Sequence, residues 1–286
     1  MNLKPKLKII TYATLMLTAI CALLLSLCFF LSFDNDLGYF NNTNILPLFF
    51  KAFYIIAVLY IVISNLVYIK CKKITFQKSP LQPSLKAVSL SVGALSVIYA
   101  VCGFVLDMIS KTNDSYSLMA FLGAASFGGF LIFVSLKDGF EYHSTKLLLI
   151  CFAAFFPFGM TMKNIFDLYR PTNSVENILA VCFAVSFLLY ILNEGKRMMN
   201  ESVGRSYFVS LLFAFFSSAT LSAAYIAAYV GGAVNEADRF REMLLCLALS
   251  VYFVCVLIHF ISNADEAPSD EENSESNTAE EAEEQK

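Results

Sequence analysis

The chain lacks the side-chain clusters on which most metal sites depend. It has only two histidines, His143 and His259, which are far apart in the sequence. Its eight cysteines form no C-x-x-C pair, and all except Cys71 lie inside apolar stretches. Such cysteines are expected to be small core residues rather than disulfide partners or metal ligands. The sequence therefore predicts no metal ion and no cofactor.

Catalytic motifs are missing as well. The sequence contains no H-E-x-x-H zinc motif, no G-x-S-x-G nucleophile turn, no Walker lysine loop and no glycine-rich dinucleotide turn. No two aspartates lie within the apolar stretches as a protease pair would require. We therefore favour a non-enzymatic role and keep an integral membrane enzyme as the last of three hypotheses.

Apolar side chains are what the sequence has in excess. They make up 58% of the residues, against about 45–50% in ordinary soluble domains, and the mean hydropathy is +0.65. They fall in blocks of about 20 residues, the length that a helix needs to cross a bilayer. The sequence predicts an all-α, polytopic transmembrane bundle of about eight spans (seven to nine) over residues 1–262, in a cell membrane.

The predicted spans are separated by short polar gaps that leave no room for a folded soluble domain. The narrowest gap, Lys111 to Ser115, predicts a tight hairpin between the third and fourth spans. We place the spans near 9–32, 48–69, 87–110, 117–136, 146–165, 175–193, 206–231 and 243–262.

The C-terminal segment differs from the rest in charge. Residues 263–286 hold ten of the 23 acidic residues and one of the 20 bases, a net charge of −9. The remaining 19 bases and 13 acids give the body +6. A segment so acidic and so poor in apolar side chains is typical of disorder. We predict a disordered tail at 263–286.

The distribution of Lys and Arg predicts the orientation, because basic loops stay on the cytoplasmic side. Both termini, and hence the acidic tail, are predicted to be cytoplasmic. Six bases lie on the predicted outer side: Lys51, Lys111, Lys163, Arg170, Arg239 and Arg241. Thirteen lie on the inner side: Lys4, Lys6, Lys8, Lys70, Lys72, Lys73, Lys78, Lys86, Lys137, Lys146, Lys196, Arg197 and Arg205.

Small residues recur every fourth position in two spans, a pattern that lets membrane helices pack closely. We expect span seven to be the most buried helix, and Pro157 in span five to produce a kink near Phe156 to Gly159. The faces of spans four and seven are also the candidate contacts with a second copy or with a membrane-complex partner. The rows are Ala120, Ala124 and Gly128 in span four, and Ala219, Ala223, Ala227 and Gly231 beside Thr220, Ala224, Ala228 and Gly232 in span seven.

Four polar residues in the spans are candidates for substrate binding. Asn65 and Tyr225 reach deepest, whereas Asp107 and Glu194 lie near span ends. Helix packing is the simpler interpretation for Asn65 and Tyr225, and snorkelling to the headgroups for Asp107 and Glu194. If the protein couples transport to an ion, these two acids are the candidates, with Asn65 as a neutral ligand.

The inner loop between spans six and seven is a distinctive polar segment. It runs from Asn193 through Glu194, Lys196 and Arg197 to Arg205, with acid beside base at a helix end. With the short spans and the acidic tail, this loop resembles uncharacterised multi-span membrane proteins of clostridial-type bacteria. The resemblance suggests a bacterial protein and implies no activity.

Three functional hypotheses follow. The first is a small-solute or lipid-handling transporter, or a subunit of a membrane complex. The second is a structural or regulatory protein that recruits a partner through its acidic tail, and the third is a membrane enzyme. The predicted partner of the protein is the lipid bilayer, and no nucleic-acid partner is expected.

The orientation can be tested with reporter fusions that are active only outside the cell. We expect activity for a fusion after Ser115 and none for a fusion after Lys137, because the two positions are predicted to lie on opposite sides of the membrane. Activity at Lys137 would overturn the charge count.

Overall fold

The computed structural model describes residues 3–34, 39–40, 45–68, 74–76, 81–110, 114–136, 143–166, 175–199, 205–230 and 237–266. Over these ranges the chain is almost entirely helical. The helices are α1 (Leu3–Ser32), α2 (Leu46–Tyr68), α3 (Pro83–Ser110), α4 (Ser115–Leu136), α5 (Ser144–Ala153), α6 (Phe155–Phe166), α7 (Val175–Met198), α8 (Arg205–Val230) and α9 (Ala237–Asn263).

Within the described residues, eight helical segments are long and apolar enough to cross a membrane, which confirms the predicted fold class and number of spans. The fifth span consists of α5 and α6 together. The helix is interrupted between them at Ala154, whose N–H donates to the carbonyl of Cys151 at 3.2 Å. Pro157 has no N–H to offer the carbonyl of Ala153, so the α-helical ladder is interrupted one turn before the proline. The break lies just before the segment where the kink was predicted.

Two short antiparallel pairs of strands lie at the helix ends. β1 (Phe33–Asp34) pairs with β2 (Tyr39–Phe40), and β3 (Ile74–Phe76) pairs with β4 (Ala264–Glu266). The predicted start of the tail at residue 263 therefore belongs to the end of α9, and the next three residues pair with the loop after α2. The rest of the predicted disordered tail, 267–286, lies outside the described residues.

Glycines set the closest helix contacts. Gly93 in α3 faces Gly128 in α4, where an added Cβ would lie 2.8 Å from the Gly128 carbonyl. Gly159 in α6 meets α4 in the same way, since a Cβ there would lie 2.5 Å from the Ala120 nitrogen and 2.6 Å from the Tyr116 oxygen. These contacts confirm that α3 and α4 pack against each other as the expected hairpin. Helix α6 also packs against α4.

Helix α8 is the most buried span, as its small residues predicted. In its most apolar stretch 78% of the residues are buried, the largest share among the eight spans. Thr220, Ala224 and Ala228 are buried inside the bundle, while Gly231 and Gly232 lie outside the described residues. The small side chains let α8 lie between α1, α7 and α9.

Helix α2 is the most weakly held span. Only 22% of its most apolar stretch is buried, and it packs mainly on α1, with a smaller contact to α8. One flank of α2 is therefore open beside α8.

Replacing Gly159 with alanine tests the α4–α6 contact. We expect Gly159→Ala to lower the melting temperature by several degrees, because an added methyl group meets backbone atoms and overpacking costs about 1–3 kcal/mol. Circular dichroism during heating in detergent measures the effect. Gly195→Ala is the matched control, since no atom lies within 4 Å of its added Cβ; an equal loss in both variants would contradict the packing argument.

Candidate functional site

Eight crossings place both termini at one end of the bundle, which we call the near end; the opposite end is the far end. At the near end a fully buried carboxylate, Glu194, joins α7 to α8. Arg197, one turn further along α7, forms an ion pair with Glu194 Oε1, and the Tyr207 hydroxyl of α8 donates to Glu194 Oε2 at 2.7 Å. Both carboxylate oxygens therefore have protein partners, which a buried charge requires.

Aromatic rings surround this ion pair. The Arg197 guanidinium lies 5.3 Å from the centre of the Tyr207 ring, and Tyr207 contacts Phe260 of α9 at 5.6 Å. The hydroxyls of Tyr190 in α7 and Tyr252 in α9 lie 2.9 Å apart. We call Glu194, Arg197, Tyr207, Tyr190 and Tyr252 the near-end network. It ties α7, α8 and α9 together with polar contacts.

A second set of charged side chains, of which the two acids are buried, lies at the far end. Arg241 of α9 faces Asp107 of α3 at 3.9 Å. Glu242, beside it in the chain, accepts a hydrogen bond from the Tyr225 hydroxyl of α8 at 3.1 Å and lies 3.8 Å from the Lys163 ammonium of α6. These five residues form the far-end network, which joins α3, α6, α8 and α9.

The two networks overturn the snorkelling interpretation of Asp107 and Glu194. Asp107 is 5% exposed and Glu194 0% exposed, and both point to cationic partners inside the protein rather than to headgroups. The predicted span six ends at 193 and the predicted span eight starts at 243. These bounds put the partners Arg197 and Arg241 in loops. Both helices extend beyond the apolar blocks, since α7 runs to Met198 and α9 begins at Ala237. Extending the predicted helices by a turn or two into the polar gaps would have included these partners.

Aromatic side chains fill the middle of the bundle between the networks. Phe187 of α7 contacts Phe127 of α4 at 4.9 Å and Phe156 of α6 at 5.7 Å, in both cases edge to face. It also contacts Phe253 of α9 at 6.0 Å. All four rings are at most 2% exposed. The packing joins the two halves of the chain through dispersion contacts.

Asn65 lies in different surroundings from the other three candidates. It lines a cleft of about 580 Å³ between α2, α7 and α8 at the near end, which we call the α2–α8 cleft. Its apolar lining is Val62, Leu66, Leu189, Val209 and Phe213, and its polar lining is Asn65, Asn193, Arg205, Ser206 and Ser210.

The Asn65 side chain is 1% exposed. Its Nδ2 donates to the carbonyl of Ile61 at 2.6 Å, whereas its Oδ1 has no hydrogen-bond partner among the described residues. A buried acceptor without a donor costs about 1–3 kcal/mol. The cleft therefore combines apolar walls, one cationic side chain and an acceptor that is not satisfied.

The structure thus separates the four predicted residues into different roles. Glu194 is in the near-end network, Asp107 and Tyr225 are in the far-end network, and Asn65 is in the cleft. Among the described residues no group of three His, Cys, Asp or Glu side chains could hold a metal ion. The sequence does not predict that Asn65 and Arg205 line the same cleft, because helices α3 to α7 separate them in the chain.

No protein-family model, curated protein or solved structure matches this chain.

The near-end network predicts a specific pattern of stabilities. Arg197→Met should destabilise the protein by about 3–5 kcal/mol, because it leaves the Glu194 carboxylate buried without its cation. The double variant Glu194→Gln with Arg197→Met should be closer to the natural protein, since the uncompensated charge is gone. Chemical unfolding in mixed micelles measures both.

Lys196→Met is the control, because Lys196 lies between the two network residues in α7 but is exposed. A double variant as unstable as Arg197→Met alone would show that the ion pair is not what the single substitution disrupts.

Proposed function

We propose that this protein is a non-enzymatic, lipid-handling membrane protein that holds the headgroup region of one anionic amphiphile in the α2–α8 cleft. The observation that carries the proposal is the lining of the cleft, in which five apolar side chains are combined with Arg205 and four uncharged polar side chains. Ligand pockets are mostly apolar with a few placed polar groups, and measure about 300–1,000 Å³. The 580 Å³ of this cleft lies within that range.

The cleft is accessible from the bilayer. Val62 and Leu66 of α2 and Leu189 of α7 line it while remaining 38%, 56% and 45% exposed. Exposed side chains of this kind on a membrane-spanning helix face lipid. The acyl chains of a lipid can therefore remain in the bilayer while its headgroup enters the cleft sideways. A water-soluble ligand does not need such a lateral opening.

The charge of the cleft favours an anion. Arg205 is the only charged residue among the described residues that line it. Arg205 and Ser206 lie in the first turn of α8, where backbone N–H groups and the helix dipole also attract negative charge. A guanidinium binds a phosphate through two parallel hydrogen bonds. In the predicted orientation this rim faces the cytoplasm, so the occupant would come from the inner leaflet.

The cleft supports lipid handling over the other hypotheses. Ion-coupled transport would need an acid that can exchange partners, but both oxygens of Glu194 are held by the protein. Asp107 faces Arg241. Recruitment of a partner through the tail concerns residues 267–286, which lie outside the described part of the chain.

The proposal predicts a preference for anionic lipid that depends on Arg205. The full chain, delipidated in detergent, is offered equal amounts of phosphatidylglycerol and phosphatidylcholine, and retained lipid is counted by native mass spectrometry. We expect preferential retention of phosphatidylglycerol, reduced about tenfold in Arg205→Gln, because a hydrogen bond to a charged group contributes about 1.4 kcal/mol or more.

Three comparisons make this experiment decisive. Lys196→Gln removes an exposed charge from the same end but outside the cleft, so an equal loss there would mean general surface attraction. Displacement of the lipid by soluble glycerophosphoglycerol at equal concentration would favour a small-solute site instead. Deleting residues 264–286 should leave the lipid preference unchanged, and loss of the preference would favour a role for the tail.

A further inference from the structure

Asn65 places an acceptor without a donor in the wall of the α2–α8 cleft. Its Nδ2 is committed to the carbonyl of Ile61, one turn earlier in α2. Its Oδ1 is buried and unpaired among the described residues. Asn65 is one of the residues that line the cleft, but its Oδ1 is itself buried, so a group in the cleft reaches this oxygen only when α2 shifts.

The neighbouring polar side chains of the cleft already use hydrogens elsewhere. Asn193 Nδ2 donates to the carbonyl of Leu189 at 2.8 Å. The Ser210 hydroxyl has one hydrogen, which it donates to the carbonyl of Tyr207 at 2.8 Å. Asn193 keeps a second Nδ2 hydrogen, but no side chain that lines the cleft donates to Asn65 Oδ1. We therefore expect the donor from the occupant.

Arg205 and Asn65 come from different walls of the cleft, α8 and α2. An occupant that satisfies both needs an anionic phosphate for Arg205 and a hydrogen-bond donor for Asn65. An ammonium group is the poorer donor here, because no carboxylate lines the cleft among the described residues and Arg205 repels a second cation. A hydroxyl group has no such cost.

We infer that the α2–α8 cleft selects an anionic phosphodiester lipid whose headgroup carries a free hydroxyl, and that this hydroxyl donates a hydrogen bond to Asn65 Oδ1. This inference rests on the proposed function, since it specifies the headgroup of the lipid that the cleft holds. A site that hydrogen-bonds a ligand hydroxyl rejects the analogue without it, because the buried partner is then left unpaired.

Two lipids of equal charge test the inference. Phosphatidylglycerol carries headgroup hydroxyls, and phosphatidylmethanol is an anionic phosphodiester without them. With both offered at equal concentration to the full-length protein, we expect about tenfold preferential retention of phosphatidylglycerol, equivalent to 1.4 kcal/mol. In Asn65→Leu the preference should fall to near one, with retention of phosphatidylmethanol maintained.

Matched variants separate this role from a structural one. Ser64→Ala changes the neighbouring buried residue, which does not line the cleft, and should keep the preference. Arg205→Gln should weaken both lipids equally. If Asn65→Leu does not fold, Asn65→Ala replaces it, because it removes the amide without adding volume.

The possible failures are distinguishable. If the natural protein shows no preference for anionic over zwitterionic lipid, the proposed function fails. If it prefers anionic lipid but retains phosphatidylglycerol and phosphatidylmethanol equally, the proposed function stands and the inference about Asn65 fails. Equal loss of both lipids in Asn65→Leu would also overturn the inference, since a merely structural asparagine produces that result.

Discussion

The buried carboxylate of Glu194, with its partners Arg197 and Tyr207, fixes the geometry of the near end. A carboxylate with no exposure is tolerated in a membrane-embedded bundle only if its charge is compensated and its oxygens are hydrogen-bonded. Arg197 and the Tyr207 hydroxyl meet both conditions. Arg197 does so from within α7, whereas the Tyr207 hydroxyl reaches Glu194 only when the end of α7 lies against the start of α8. The same two helix ends carry Asn193 and Arg205 into the cleft, so the polar rim of the cleft depends on this contact.

The far-end network imposes the same constraint on other helices. Asp107 with Arg241, and Glu242 with Lys163 and Tyr225, join α3, α6, α8 and α9. Helices α8 and α9 take part at both ends, and between these ends the hydroxyl oxygens of Ser250 and Ser218 lie 3.0 Å apart. Small residues also let α8 approach its neighbours closely, and α8 and α9 are the two most buried spans among the described residues.

The sequence predicts the spans well and the polar contacts poorly, for one physical reason. Blocks of about 20 apolar residues predict helices because the bilayer leaves few alternatives. Charged residues at a span end lower the local hydropathy in the same way whether they lie in a loop or continue the helix into a protein contact. The apolar pattern therefore predicts that Arg241 and Glu242 lie outside span eight, although α9 begins at Ala237. The α2–α8 cleft could not be predicted from the sequence, because no residue pattern within α2 indicates which helix lies opposite Asn65.

The two walls of the cleft differ in how firmly they are held. The wall with Arg205 belongs to α8, which is packed on several sides and tied to α7 by the near-end network. The wall with Asn65 belongs to α2, which packs mainly on α1 and exposes most of its surface. Moving α2 aside breaks few buried contacts, whereas moving α8 would expose the Glu194 carboxylate. A headgroup that bonds to Arg205 and Asn65 together would therefore draw α2 towards α8, and the unpaired oxygen of Asn65 supplies part of the driving force for that closure.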